Sequence, residues 1–165
     1  VILHSTGKIR ATTAVNDLRK FSLLGQITET PADAVVWAVG MTDLRAAHSL
    51  DEFTRRIAFL IQTTQCRDAV PILMTMPPAT DVAPEAARQA ALMLKTMALT
   101  QGIPIVDAYA QAMAPTHAAA RMENFRKNGE AELPKGTLND DGRRRMASRV
   151  ARTLLDTNAL QEENR

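Results

Sequence analysis

The sequence predicts an α/β fold built on a parallel β-sheet. Four short apolar runs have the length and composition of buried strands, and a segment of helical period lies in each interval between them. The runs are Val1–Leu3, Ala34–Val39, Val70–Thr75 and Ile103–Asp107, and they begin 33, 36 and 33 residues apart. This spacing is typical of βαβ units, in which the sheet is covered by helices on both faces.

The first two predicted helices follow from apolar periodicity and capping residues. The first spans about residues 13–24 and ends at Gly25. The second begins after Ser49, which forms a capping-box pattern with Glu52. Its apolar positions fall on one helical face, which predicts a buried stripe: Phe53, Ile57, Leu60 and Ile61.

Two later helices have equally clear ends. One opens at Pro84, a residue favoured in the first helical turn, and stops at Gly102. The last begins after Asn139, a preferred capping residue, and continues through the arginine-rich segment that follows. Its predicted apolar edge consists of Met146, Val150 and Leu154.

Composition limits the class of protein. The chain has 165 residues, of which 45% are hydrophobic and 23% charged, values that favour one folded domain over a disordered chain. We therefore expect a single α/β domain over residues 1–156 and a frayed C-terminal tail over residues 157–165. No apolar run approaches the roughly 20 residues that a membrane-spanning helix needs.

A single cysteine, Cys66, excludes an internal disulfide framework and a cysteine-built zinc site. It favours an intracellular, reducing compartment, either the cytoplasm or an organellar matrix such as that of mitochondria. His4, His48 and His117 show no metal-ligand spacing, so we expect neither a metal nor a cofactor.

Ligands of open parallel sheets bind beyond the carboxyl ends of the strands. The sequence places residues 4–7, 40–43 and 77–81 there, together with Asp107–Tyr109. Asp43 and Asp107 both lie at strand ends, where a pair of carboxylates can serve chemistry. We favour structural roles, with Asp43 stabilising its own turn and Asp107 capping the following helix.

Three segments carry a resemblance to a known family. Residues 34–44 end a strand with Gly-Met-Thr-Asp, residues 102–109 read Gly-Ile-Pro-Ile-Val-Asp-Ala-Tyr, and residues 138–147 contain Asn-Asp-Asp-Gly. Together they resemble conserved segments of the SGNH (GDSL-type) hydrolases, over residues 1 to about 155. The resemblance implies a three-layer, flavodoxin-like sandwich with strand order 2-1-3-4-5.

The same resemblance implies that the first, serine-bearing strand of the fold is missing from this sequence. Val1–Leu3 then corresponds to the second strand, and no Gly-Asp-Ser motif occurs. An interior gap in a sheet leaves buried backbone groups unpaired. We expect residues preceding Val1, closure of the remaining strands, or another chain to fill it.

Most catalytic positions implied by the family are not matched. Gly7 and Gly40 correspond to its glycines, but Thr42 stands where the family has an oxyanion-hole Asn and Thr137 where it has the catalytic His. Pro134 replaces the neighbouring Asp. Gly7, Gly40 and Thr42 remain candidates for a residual oxyanion hole, and no catalytic residue is assigned.

Two main hypotheses for function follow. The first is a catalytically degenerate SGNH-hydrolase-like domain, acting as a structural or binding subunit of a larger assembly. The alternative is an ester hydrolase whose nucleophilic Ser lies N-terminal to the residues shown and whose base comes from an unusual place.

A cluster of arginines in the last helix supports a further alternative, a module that contacts anions or RNA. Arg143, Arg145, Arg149 and Arg152 lie in a stretch with no acidic residue, which favours an acidic protein surface, RNA phosphate or anionic lipid as partner. A solvated cationic face without a partner fits the sequence equally well. Aromatic residues make up only 4% of the chain, which argues against recognition of single-stranded bases.

Overall fold

The computed structural model describes residues 32–45, 49–77, 79, 82–113 and 140–163. The elements in chain order are β1 (Ala34–Trp37), α1 (Met41–Arg45), α2 (Leu50–Gln65), β2 (Val70–Met74), α3 (Pro84–Gln101), β3 (Ile105–Val106), α4 (Ala108–Met113) and α5 (Asp140–Glu163). This alternation of strands and helices confirms the predicted α/β class. The predicted strand Val1–Leu3 and the predicted helix over residues 13–24 lie outside the described residues.

The described strands form one sheet in the order β1-β2-β3. Strands β2 and β3 are parallel, with Leu73 opposite Ile105 and Met74 opposite Val106. A parallel pair needs a long crossover, and α3 lies in the connection between these two strands. The resemblance implies the strand order 2-1-3-4-5, and the order β1-β2-β3 agrees with its last three strands.

The described residues divide into two compact units. One holds residues 32–35 and 39–70, which include α1 and α2. The other holds residues 36–38 and the described residues from 71 onward, which include α3, β3, α4 and α5. The single domain over residues 1–156 stays a prediction.

Helix α2 begins as its capping residue predicts. The Ser49 hydroxyl accepts a hydrogen bond from the Glu52 N–H at 3.2 Å, which satisfies one of the free donors of the first turn. The helix then buries the predicted apolar stripe together with one threonine: Phe53, Ile57, Leu60, Ile61 and Thr64. Each large apolar side chain contributes about 1.5–3 kcal/mol through burial.

Helix α3 has the predicted start and end. Pro84 occupies the first turn, and Gly102 ends the helix in the left-handed conformation with φ of 62°. The Gly102 N–H donates to the carbonyls of Ala98 and Leu99, which are among the last carbonyls of the helix. Its buried face consists mainly of alanines, with Leu94 and Met97 as the large side chains.

Helix α5 contacts β3 and extends further than the sequence predicts. It continues to Glu163, past Thr157, where we expected a frayed tail. Thr157 is buried, and its hydroxyl donates to the Thr153 carbonyl at 2.7 Å. The helix therefore continues over positions at which composition alone predicts fraying. Across the described part of the chain, every helix is too short or too polar to cross a bilayer.

Candidate functional site

A polar cluster occupies the carboxyl ends of β2 and β3, within the second unit. Thr75 follows β2 and Asp107 follows β3, so the parallel register brings the two side chains together. The Thr75 hydroxyl donates to Asp107 Oδ1 at 3.0 Å, and Lys95 Nζ of α3 lies 2.6 Å from Asp107 Oδ2. We call Thr75, Lys95 and Asp107 the Asp107 cluster.

The Asp107 cluster also holds the start of α4. The Ala110 N–H donates to Asp107 Oδ1 at 3.0 Å, which is the geometry of an N-capping carboxylate. The Tyr109 N–H donates to Thr75 Oγ1 at 2.9 Å, so the Thr75 hydroxyl both donates and accepts. The predicted role of Asp107 as the cap of the following helix is confirmed.

The environment of Asp107 lowers its pKa. Burial by itself raises the pKa of this carboxyl, but hydrogen bonds from Lys95, the Ala110 N–H and Thr75, together with the Lys95 charge, outweigh that effect. The pKa therefore lies below its ordinary value, and the group is a carboxylate at neutral pH. A carboxylate held in this way is a weak proton acceptor.

A second candidate place lies at the end of β1, in the first unit. Gly40 has φ of 118°, a conformation that favours glycine, and its carbonyl accepts from the Leu44 N–H at 2.9 Å. Thr42 is the second residue of α1. Asp43 lies in the first turn of α1 and is only 2% exposed, and its expected role in stabilising its own turn stays a prediction.

The remaining positions that the family resemblance assigns to catalysis lie outside the described residues. Gly7, Pro134 and Thr137 lie outside the described residues, as do the three histidines of the chain. Among the residues that the structure does describe, no group of three or more metal-binding side chains is found.

Three of the sequence-predicted arginines of α5 have exposed side chains. Arg145, Arg149 and Arg152 are all exposed, and Arg143 lies in the first turn of the same helix. With the Gln111 amide turned so that its oxygen faces the guanidinium, Arg149 donates to that oxygen from Nε at 3.1 Å and from Nη1 at 3.3 Å.

Two participants of the Asp107 cluster were missed by sequence reasoning. Thr75 could have been found, because it directly follows a predicted strand in a parallel sheet and so lies at the ligand-binding edge. Lys95 could not, because it lies in the middle of α3, and no local pattern connects it to a carboxylate after the next strand.

The chain matches no family model and no curated protein. It is similar to a crystal structure described as "a putative acylhydrolase" from Bacteroides fragilis NCTC 9343, with a TM-score of 0.70 and 17% sequence identity. The alignment covers 90% of this chain and 71% of that chain. The two proteins therefore share an α/β fold, and at this identity the similarity shows the fold alone.

Proposed function

We propose that the chain is a catalytically degenerate SGNH-hydrolase-like domain that acts as a structural or binding subunit of a larger assembly. The observation that carries the proposal is the state of Asp107. Both of its carboxylate oxygens have hydrogen-bond or ion-pair partners that hold β2, α3 and α4 together.

The geometry makes Asp107 a poor general base. Proton transfer is most efficient when the pKa of the base lies near the working pH. The pKa of Asp107 is instead lowered below its ordinary value. Its hydroxyl neighbour, Thr75, is 0% exposed and cannot reach a substrate as a nucleophile. The cluster thus has the properties of a structural junction.

The resemblance supports the same conclusion. The family positions for the oxyanion-hole Asn and the catalytic His hold Thr42 and Thr137 here. A threonine hydroxyl does not accept a proton near neutral pH, and loss of a general base costs about two to four powers of ten in rate.

One observation favours a second candidate, an ester hydrolase. The fold is similar to that of the Bacteroides fragilis protein, which is described as "a putative acylhydrolase". In this alternative a serine N-terminal to Val1 is the nucleophile, and a residue outside the Asp107 cluster is the base.

Esterase assays on the protein isolated from its natural source separate the two candidates. Its intact mass and N-terminal sequence are determined first, and hydrolysis of p-nitrophenyl acetate and butyrate is then measured with and without a serine-directed phosphonate. We expect the phosphonate to leave the rate of hydrolysis unchanged. Phosphonate-sensitive turnover would overturn the proposal and establish the ester hydrolase.

The Asp107→Asn variant provides a second readout. If the contacts of Asp107 hold β2, α3 and α4 together, the substitution lowers the free energy of unfolding. An unchanged free energy of unfolding would contradict the structural role of Asp107, on which the proposal depends.

A further inference from the structure

We propose that the exposed side of α5 binds an acidic, amphipathic segment of a partner protein. The inference deepens the proposed function, on which it rests, by naming the surface and the kind of partner. We call Arg145, Arg149 and Arg152 the arginine face; they occupy positions i, i+4 and i+7 of the helix, and all three are exposed.

The charge of the arginine face favours an acidic occupant. The arginine face presents three positive charges on one side of the helix, and the sequence between positions 143 and 152 contains no acidic residue. A cationic surface of this kind attracts the carboxylates of a partner. Arginine also forms paired hydrogen bonds to carboxylates, because its guanidinium presents parallel N–H groups.

Arg149 is held in place before any partner binds. With the Gln111 amide turned so that its oxygen faces the guanidinium, Nε and Nη1 of Arg149 donate to that oxygen at 3.1 and 3.3 Å. A guanidinium has five N–H donors, so donors remain for a partner. A side chain that is already oriented loses less conformational entropy on binding.

The stripe beside the arginine face distinguishes a protein partner from nucleic acid. Leu155 is 69% exposed and shares its stripe with the small residues Ser148 and Ala151. A partner protein can cover an exposed leucine with its own apolar side chains, whereas a phosphate backbone cannot.

The occupant that fits both stripes has glutamates or aspartates on one side and leucines or similar residues beside them. An amphipathic acidic helix has this arrangement, because residues three and four apart share a helical face. Arginine is also enriched at protein interfaces, where lysine is depleted.

Fluorescence anisotropy with two labelled probes tests the proposal. The first probe is a synthetic helical peptide with glutamates and leucines on adjacent faces, and the second is a 20-nucleotide single-stranded RNA. We expect the peptide to bind more tightly than the RNA. The double variant Arg149→Ala/Arg152→Ala weakens peptide binding about tenfold or more, as expected for interface arginines. Leu155→Ala weakens it severalfold.

A matched control removes the same charge elsewhere. Arg55 and Arg67 are both exposed and lie in the first unit, so Arg55→Ala/Arg67→Ala keeps the overall charge change and leaves the arginine face intact. We expect this variant to bind the peptide as the unmodified protein does. Circular dichroism of each variant confirms folding, since all the replaced side chains are exposed.

Three results would overturn the inference. The first is that the peptide does not bind at 50 mM NaCl. The second is that the control variant and the arginine-face variant lose the same peptide affinity. The third is that RNA binds more tightly than the peptide, with an affinity that Leu155→Ala does not change. The last result would assign the face to phosphate. Since none of these measurements involves ester hydrolysis, failure here is separate from failure of the proposed function.

Discussion

Replacing Thr75 with valine isolates the hydroxyl that joins β2 to β3 and α4. Thr75 is 0% exposed, and its Oγ1 donates to Asp107 Oδ1 at 3.0 Å and accepts from the Tyr109 N–H at 2.9 Å. Valine has nearly the same shape, so the substitution leaves no sizeable cavity. The change in the free energy of unfolding then reports mainly the loss of two hydrogen bonds.

The size of that change follows from the two partners. A hydrogen bond between neutral groups contributes about 0.5–1.5 kcal/mol net, and one to a charged group about 1.5–3 kcal/mol. We therefore expect Thr75→Val to lower the free energy of unfolding by about 2–4 kcal/mol. Thr75→Ser keeps the hydroxyl and removes one methyl group, at a cost of about 1 kcal/mol.

Urea denaturation of the three proteins, followed by circular dichroism, measures these differences at pH 7. The pKa of Asp107 is lowered from its ordinary value of 3.8 in the folded state. Its charge-dependent stabilisation is therefore fully present above that value and is lost as the pH falls through the lowered pKa. The gap between Thr75→Val and the unmodified protein should narrow below about pH 4. The reasoning would be refuted if Thr75→Val lowered the free energy of unfolding by less than about 0.5 kcal/mol, or if the valine and serine variants lowered it equally.

Three further predictions test other parts of the structure. Lys95→Met should raise the pKa of Asp107 in a carbon-13 NMR titration and lower stability by less than about 1 kcal/mol, because the ion pair is partly exposed; an unchanged pKa would contradict the assigned cause. In urea denaturation, Leu94→Ala should lower the free energy of unfolding by about 2–5 kcal/mol and Leu99→Ala by under about 0.5 kcal/mol, because the two side chains of α3 are 1% and 85% exposed. Comparable losses would contradict the assignment of Leu94 to the buried face of α3. Gly102→Ala should cost about 1–2 kcal/mol in thermal melts, because its φ of 62° is strained for alanine although the space beside it is open; a neutral result would argue against the left-handed end of α3.

Local signals in the sequence were enough to place most of the described elements. The ends of α2 and α3 follow from Ser49, Pro84 and Gly102, because capping and backbone conformation depend on the few residues around each end. The strands β1 and β2 follow from short continuous apolar runs, and the buried stripe of α2 follows from apolar periodicity. The resemblance added the adjacency of the three strands.

The candidate site was less predictable. The position of Asp107 at a strand end and its capping role followed from the sequence, but the short helix α1, in which Asp43 is buried, did not. A short helix of five residues contains too few positions to show a period. Its presence depends on the burial of its surroundings, which no local pattern records.

The sequence by itself determined the α/β class, the ends of the main helices and the presence of an arginine-rich last helix, since each depends on residues that are neighbours along the chain. Only the tertiary structure decided that Lys95 pairs with Asp107, that Thr75 connects Asp107 to α4, and that Thr157 is buried. The physical reason is that ion pairs, pKa shifts and burial depend on distances in space. Packing sets those distances between residues far apart in the chain.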